Sequence, residues 1–193
     1  MARRLDQILV IDVESTCWEG PPPRGQISEI IEIGLCTLDA VTLERIEKRE
    51  ILVRPQQSEV SDFCTKLTTL TAAQVSKGIP LNEAIDILAR KYVAQDRLFA
   101  SWGDYDRGQF QRNCGHYKIK YPFGPTHLNI KNLFSITLGI SREMGIDGAM
   151  KRVGLEMEGT HHRGVDDAWN IAELLAWLLR RGRAEKLPAV EPS

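Results

Sequence analysis

The chain has 193 residues, 42% of them hydrophobic and 26% charged, which is the composition of one soluble globular domain with a substantial core. Its 25 basic and 26 acidic residues leave a net charge of −1, which argues against tight non-specific binding of long duplexes, since that requires many neutralised phosphates. No apolar run approaches the ~18 residues of a membrane span and no cleavable signal pattern follows Met1, so a soluble, cytoplasmic protein without membrane association is expected.

In chain order, the first element is Ile8-Leu9-Val10-Ile11-Asp12-Val13-Glu14. Its uninterrupted apolar run, dense in Ile and Val, predicts a strand buried on both faces. Side chains alternate along a strand, so Asp12 and Glu14 point to the same side, roughly 6.6 Å apart. Two such charges at the end of a core strand are costly unless a cation compensates them, and hard oxygen ligands suit Mg²⁺ or Mn²⁺. The alternative is that the strand ends here and both acids are solvated. Pro21-Pro22-Pro23 then separates this strand from a second at Ile27 to Leu38. A third, Glu44 to Val53, alternates charged and apolar residues and stops at Arg54-Pro55. Together they predict an antiparallel meander with one solvated outer strand.

Leu67 to Val75 predicts short helical turns, and Leu81 to Val93 a helix with Leu81, Ala84, Ile85, Leu88 and Tyr92 on one face. A short strand, Leu98 to Ser101, precedes Trp102-Gly103-Asp104-Tyr105-Asp106, which opens another helix. Either aspartate would be a favourable helix cap. Only Asp106 shares a stripe with an aromatic one turn on, Phe110, so Asp106 is expected to face inward and Asp104 to cap the helix or face solvent. Leu128 to Lys131 is a candidate strand, and Leu133 to Leu138 and Gly148 to Val153 are short helices. In the last helix, Asp167 to Arg180, Ile171, Leu174 and Leu178 share the face of Asp167, whereas Asp166 lies over a mixed face. A tail spanning 183–193 is expected to be poorly ordered. The four cysteines, Cys17, Cys36, Cys64 and Cys114, form no CxxC pair, which argues against zinc and fits reduced thiols.

Four acids thus have a stated reason to face inward: Asp12, Glu14, Asp106 and Asp167. Just before the last stands His161-His162-Arg163-Gly164-Val165-Asp166-Asp167. Asp-x-Glu on the first strand, an aspartate opening a middle helix and His-x₄-Asp before the final helix resemble the DEDDh 3′→5′ exonucleases of the RNase H-like superfamily. Val-Ile-Asp-Val-Glu-Ser-Thr-Cys-Trp, Ser-Trp-Gly-Asp-Tyr-Asp, Lys-Tyr-Pro and His-Arg-Gly-Val-Asp-Asp-Ala-Trp-Asn resemble the histone-mRNA and small-RNA 3′-exonuclease branch and its bacterial relatives. The resemblance spans residues 5–182. It implies an α/β, RNase H-like fold, a mixed five-stranded sheet (a three-strand antiparallel meander plus parallel strands) flanked by helices.

By position, the resemblance puts the metal acids on Asp12, Glu14, Asp106 and Asp167 and the general base on His162. His161 has the same spacing to Asp166, but the Arg-Gly-x-Asp-Asp-Ala continuation favours His162. It implies two divalent ions about 4 Å apart at a terminal phosphodiester, activating water and stabilising the leaving 3′-oxygen. An imidazole with an ordinary pKa near 6.5 suits the base. The implied substrate is a single-stranded 3′ end, RNA favoured, and the product a nucleoside 5′-monophosphate. Ser15, Thr16 and Cys17 are candidates to contact the 3′-terminal sugar. Trp18 either stacks on a base or packs under the proline loop. Glu29 either lies near the terminal ribose or is a solvated strand-end acid. Arg163, Lys118 and Lys120 are candidate phosphate contacts or solvated charges, and His116 and His127 lack partner spacing and are expected to be structural or exposed. Two rival readings are a DNA-directed proofreading or repair exonuclease and a catalytically silent RNase H-like scaffold.

Overall fold

The computed structural model describes residues 4–184. Five strands form one sheet in the order β3-β2-β1-β4-β5, with β1 Gln7–Ser15, β2 Ile30–Asp39, β3 Arg45–Leu52, β4 Leu98–Ser101 and β5 His127–Asn129. β1–β3 are the antiparallel meander, and β4 and β5 extend it in parallel. The apolar run of β1 is buried on both faces because helices cover both. Leu9, Ile11 and Val13 pack with helices α3 (Leu81–Arg90) and α4 (Tyr105–Tyr117). Ile8 and Val10 face α5 (Ile130–Thr137), α6 (Ile146–Arg152) and α7 (Gly164–Ala184) on the other side. In β3 half-buried and exposed positions alternate from Arg45 to Glu50, as in an outer strand, but Ile46 falls on the exposed side and only Ile51 is buried. Two short helices, α1 (Asp62–Thr68) and α2 (Ala72–Val75), complete the elements of the described residues.

Element ends differ from the sequence expectation where side chains take over the backbone. β2 starts at Ile30 rather than Ile27, since the Ile27 and Glu29 amides donate to Ser58 Oγ and Thr16 Oγ1. β5 stops at Asn129 because the Asn129 side chain caps α5. The final helix begins at Gly164 and continues to Ala184. Arg183, assigned to the tail by its sequence, therefore sits in α7 and donates to the carbonyls of Val41 and Ala40. The remainder of that expected tail, 185–193, lies outside the described residues. Among the described residues no helix is long and apolar enough to cross a membrane.

The start of α7 lies backbone to backbone on β2. A Cβ built on Gly34 would stand 1.9 Å from the Gly164 carbonyl carbon, so only glycine lets the helix start lie there. Gly34 pairs with Asp12 across the β1–β2 ladder, so the same gap sets α7 beside Asp12. Gly34→Ala is expected to cost about 3 kcal/mol or more in urea unfolding, because the obstruction is backbone and cannot rotate away. A loss within about 0.5 kcal/mol of zero would show that the approach is not tight.

Candidate active site

β1 outruns β4. Their pairing ends at Val10↔Ala100, and the rest of β1 projects past the parallel ladder. Asp12 and Glu14 lie on this projecting segment, at the carboxyl ends of the strands where the sheet changes from antiparallel to parallel neighbours. Open α/β sheets bind ligands at such a switch point. With β4 gone, the Val13 amide takes another acceptor: Asp106 Oδ1, at 2.9 Å. That bond fixes Asp106, in the first turn of α4, between the two strand acids. Asp106 is 3% exposed and its stripe-mates Phe110 and Asn113 are buried, whereas the side chain of Asp104 is 68% exposed.

Asp167 comes from the opposite face of the sheet. Its position depends on Glu32, a fully buried acid in β2 whose carboxylate accepts from the Gly164 and Val165 amides and from Arg163 Nε. These bonds satisfy amides at the start of α7 and place a negative charge at the positive end of the helix. One turn in, Asp167 faces Asp12, while Asp166 turns away to Lys48 and the Thr160 amide. The loop before α7 closes on Asp167 twice. His161 Nδ1 lies 3.1 Å from Oδ1, and the His162 amide donates to Oδ2 at 2.8 Å. His162 has φ +63°, and its ring stacks on His161 with centroids 4.0 Å apart.

Asp12, Glu14, Asp106, Asp167, His161 and His162 line one open cavity of about 430 Å³. Oxygens of Asp12, Glu14 and Asp167 lie within 4.8 Å of one another, a hard-donor set that fits a divalent cation such as Mg²⁺ or Mn²⁺. Among the described residues none of the three pairs with a lysine or arginine, and Asp167 has the His161 ring 3.1 Å away. Burial, then the charges of Asp106, Glu14 and Asp167, holds the Asp12 pKa well above the usual carboxylate value. Burial, then Glu32, pushes Glu14 to about 9. Burial raises Asp106 to about 6 despite the Val13 amide and the Ser101 hydroxyl, and raises Asp167 despite His161. His162 moves the other way: partial burial and the adjacent His161 lower its pKa, leaving a neutral ring at neutral pH.

The residues proposed to hold substrate divide. Ser15 and Cys17 line the cavity, and the buried Ser15 hydroxyl has no hydrogen-bond partner among the described residues. Cys17 packs on Cys64, and burial raises its thiol pKa to about 12. Thr16, Trp18 and Glu29 do not line the cavity. The Thr16 amide and hydroxyl are committed to the Glu29 and Ile27 carbonyls. Glu29 is corrected from both sequence options. It is buried rather than solvated, and its carboxylate is occupied by the Gln56, Gln57 and Ser58 amides and the Tyr117 hydroxyl, which leaves no oxygen for a ribose. Sequence reasoning missed Glu32, although an acid flanked by Ile31 and Ile33 is a signal for a buried partner. It also missed Trp102 and Tyr105 as cavity wall.

A mixed five-stranded sheet with carboxylates converging at its switch point defines an RNase H-like exonuclease fold. The chain belongs to the RNase_T exonuclease family, whose model matches residues 9–175. Human 3′-5′ exoribonuclease 1 is 31% identical over 187 residues, covering 92% of this chain and 53% of that protein. Human ERI1 exoribonuclease 2 is 29% identical over 208 residues, covering 94% of this chain and 30% of that protein. The chain thus spans about half of the first relative and under a third of the second. The crystallographic nuclease domain of 3′hExo, a DEDDh family member bound to rAMP, superposes with a TM-score of 0.82 at 29% identity, covering 94% of this chain and 96% of that one.

The electrostatics make a prediction with a definite sign. Carboxyl groups whose pKa is raised by folding stabilise the fold below their unfolded values, near 4, and that contribution is lost as pH rises through the folded values. Those are about 6 for Asp106 and about 9 for Glu14. Without divalent ions, the melting temperature should therefore fall by about 4 °C or more between about pH 5.5 and pH 8.5. Millimolar Mn²⁺ should restore it at the higher pH. Asp12→Asn should shrink both the fall and the restoration, as read by calorimetry.

Proposed function

We propose that residues 5–182 form a metal-dependent 3′→5′ exonuclease that releases nucleoside 5′-monophosphates from single-stranded 3′ ends, with RNA the favoured substrate. The observation that carries this reading is the convergence of Asp12, Glu14, Asp106 and Asp167 on one open cavity with a neutral histidine at its rim. In it, Asp12, Glu14, Asp106 and Asp167 hold two divalent ions, Mg²⁺ or Mn²⁺. When bound, such ions lower the pKa of an attacking water and stabilise charge on the leaving 3′-oxygen. The protein's own part is to hold four acids in one place and to receive a proton. His162 is the base: its ring lines the cavity, and its lowered pKa keeps it able to accept at neutral pH. Ser15 and Cys17 are the cavity-wall residues assigned to the 3′-terminal sugar. Four free thiols fit a reducing, cytoplasmic setting.

The preference for RNA is supported by the names of both human relatives, which are exoribonucleases, and by the rAMP in the 3′hExo domain. A related structure describes 3′-end specific recognition of a histone mRNA stem-loop by 3′-exonuclease. The test is Mn²⁺- or Mg²⁺-dependent monophosphate release from matched single-stranded RNA and DNA oligonucleotides. Asp106→Asn should cut release by about 100-fold or more, while Asp104→Asn stays within about threefold of wild type. Equal losses in the two variants would reject the assignment. The rate should rise with pH through a limb below the ordinary histidine value of ~6.5, and His162→Ala should flatten it. Faster release from DNA would transfer the assignment to a DNA exonuclease, and no release from either would favour a silent scaffold.

A further inference from the structure

We propose that Asn170 is a positioning residue for His162: together with Asp166, it fastens the loop that carries the histidine to the helix that follows it. Asn170 closes the stretch His-Arg-Gly-Val-Asp-Asp-Ala-Trp-Asn, yet it does not line the cavity. It is fully buried in α7. Its Nδ2 donates to the Glu158 and Asp166 carbonyl oxygens, both at 2.9 Å, and its Oδ1 accepts from the Glu158 amide at 3.0 Å. One side chain thus serves both the N–H and the C=O of Glu158, as a neighbouring strand would.

The loop 153–163 needs such a partner, because it holds no helix or strand of its own. α7 takes hold of it at alternate residues. Asn170 binds Glu158, Asp166 Oδ2 accepts from the Thr160 amide at 2.8 Å, and Asp167 Oδ2 accepts from the His162 amide at 2.8 Å. Asp166 and Asn170 are one turn apart and so are neighbours on α7. The chain between their two grips must run close to the helix, and Gly159 does so. It has φ +79°, and a Cβ built there would stand 2.3 Å from the Asp166 carboxylate carbon. The Thr160 carbonyl then accepts from the Arg163 amide at 3.2 Å, which closes the turn bearing His161 and His162. Arg45 also reaches Glu158, with Nη2 2.9 Å from Oε1, but the Glu158 side chain is 55% exposed. An exposed ion pair is screened and contributes little, whereas removing a buried amide leaves the polar groups it served unsatisfied. The buried amide is therefore the fastening.

This inference rests on the reading of His162 as the base of a 3′→5′ exonuclease. The test is Mn²⁺-dependent nucleotide release from single-stranded RNA by the full chain, with Mn²⁺ affinity from titration calorimetry and amide hydrogen exchange alongside. Asn170→Ala should lower kcat between about 10- and 100-fold with little change in KM, the scale of a misplaced reacting group. Exchange at the Thr160 and His162 amides should quicken. Mn²⁺ affinity should fall by less than the about tenfold expected of a residue that orients a metal ligand. Asp166→Ala should also lower kcat, and Asp166→Asn, which keeps an oxygen for the Thr160 amide, should recover most of the loss. Glu158→Ala removes the ion pair but keeps the backbone groups, so its kcat should stay within about threefold of wild type. In a His162→Ala background, Asn170→Ala should cost nothing further, because both act through one imidazole. Where Asn170→Ala does not fold, Asp166→Ala is compared with Asp166→Asn; equal rates in these two overturn the proposal. So do losses that multiply in the His162→Ala background, Mn²⁺ affinity that falls in step with kcat, or a Glu158→Ala loss as large as that of Asn170→Ala. Wild-type protein that releases no nucleotide overturns the exonuclease reading and this proposal with it. Wild-type release that ignores Asn170 overturns the positioning role alone.

Discussion

At the start of α7, helix backbone lies directly on strand backbone, with no side chain between Gly34 and Gly164. This contact determines what the opposite acids can do. Asp12 is the register partner of Gly34, so the space left by the missing Cβ is space beside Asp12. Glu32, two residues earlier on the same strand, holds the helix there through the Gly164 and Val165 amides. Asp167, one turn into α7, is thereby brought to the β1 acids. Neither end of this arrangement is stable alone. A glycine in a central strand forfeits packing and backbone entropy, and a buried glutamate without donors is costly. Each is tolerated because the other completes the docking.

The same geometry concentrates charge that the fold does not compensate. Glu14 stands directly opposite Glu32 across the β1–β2 ladder, an unfavourable pairing for like charges. Glu32 is satisfied by helix amides and Arg163, but among the described residues Glu14, Asp12 and Asp167 gain no comparable cationic partner. Sites that trade stability for chemistry commonly store such local conflict, and surrounding structure holds it in place. Here the holding structure is the doubly covered β1, with α4 on one side and α7 on the other, each contributing one of the remaining acids. The cavity lies beyond the end of β4, open to solvent.

What the sequence made legible follows from locality. A strand's two-residue alternation put Asp12 and Glu14 on one face, and the helical stripe separated Asp106 from Asp104 and Asp167 from Asp166 as the buried member of each pair. Those inferences need only the period of the element that carries the residue. Glu29 and Glu32 required more. Both are acids in one β2 approach, both are buried, and each holds backbone amides of a segment distant in sequence: the 56–58 turn for Glu29 and the α7 start for Glu32. No periodicity distinguishes an acid that binds a loop from one that faces water. The starts and stops of β2 and β5 were obscured for the same reason, since Thr16, Ser58 and Asn129 side chains take backbone groups that strand pairing would otherwise use.

The two adjacent histidines show how geometry separates residues that spacing alone leaves equal. His161 engages Asp167 through its ring, so one of its nitrogens is committed to a carboxylate. His162 engages the same carboxylate through its backbone amide, which leaves both ring nitrogens free of Asp167. A left-handed conformation at a non-glycine residue costs on the order of 1 kcal/mol, and His162 adopts one at φ +63°. That cost secures the amide bond to Asp167 and turns the imidazole onto its neighbour, at the cavity rim. A proton acceptor must be neutral, tethered and unoccupied. As the proposed acceptor His162 is better suited than His161, because its backbone does the anchoring that the ring of His161 must do for itself.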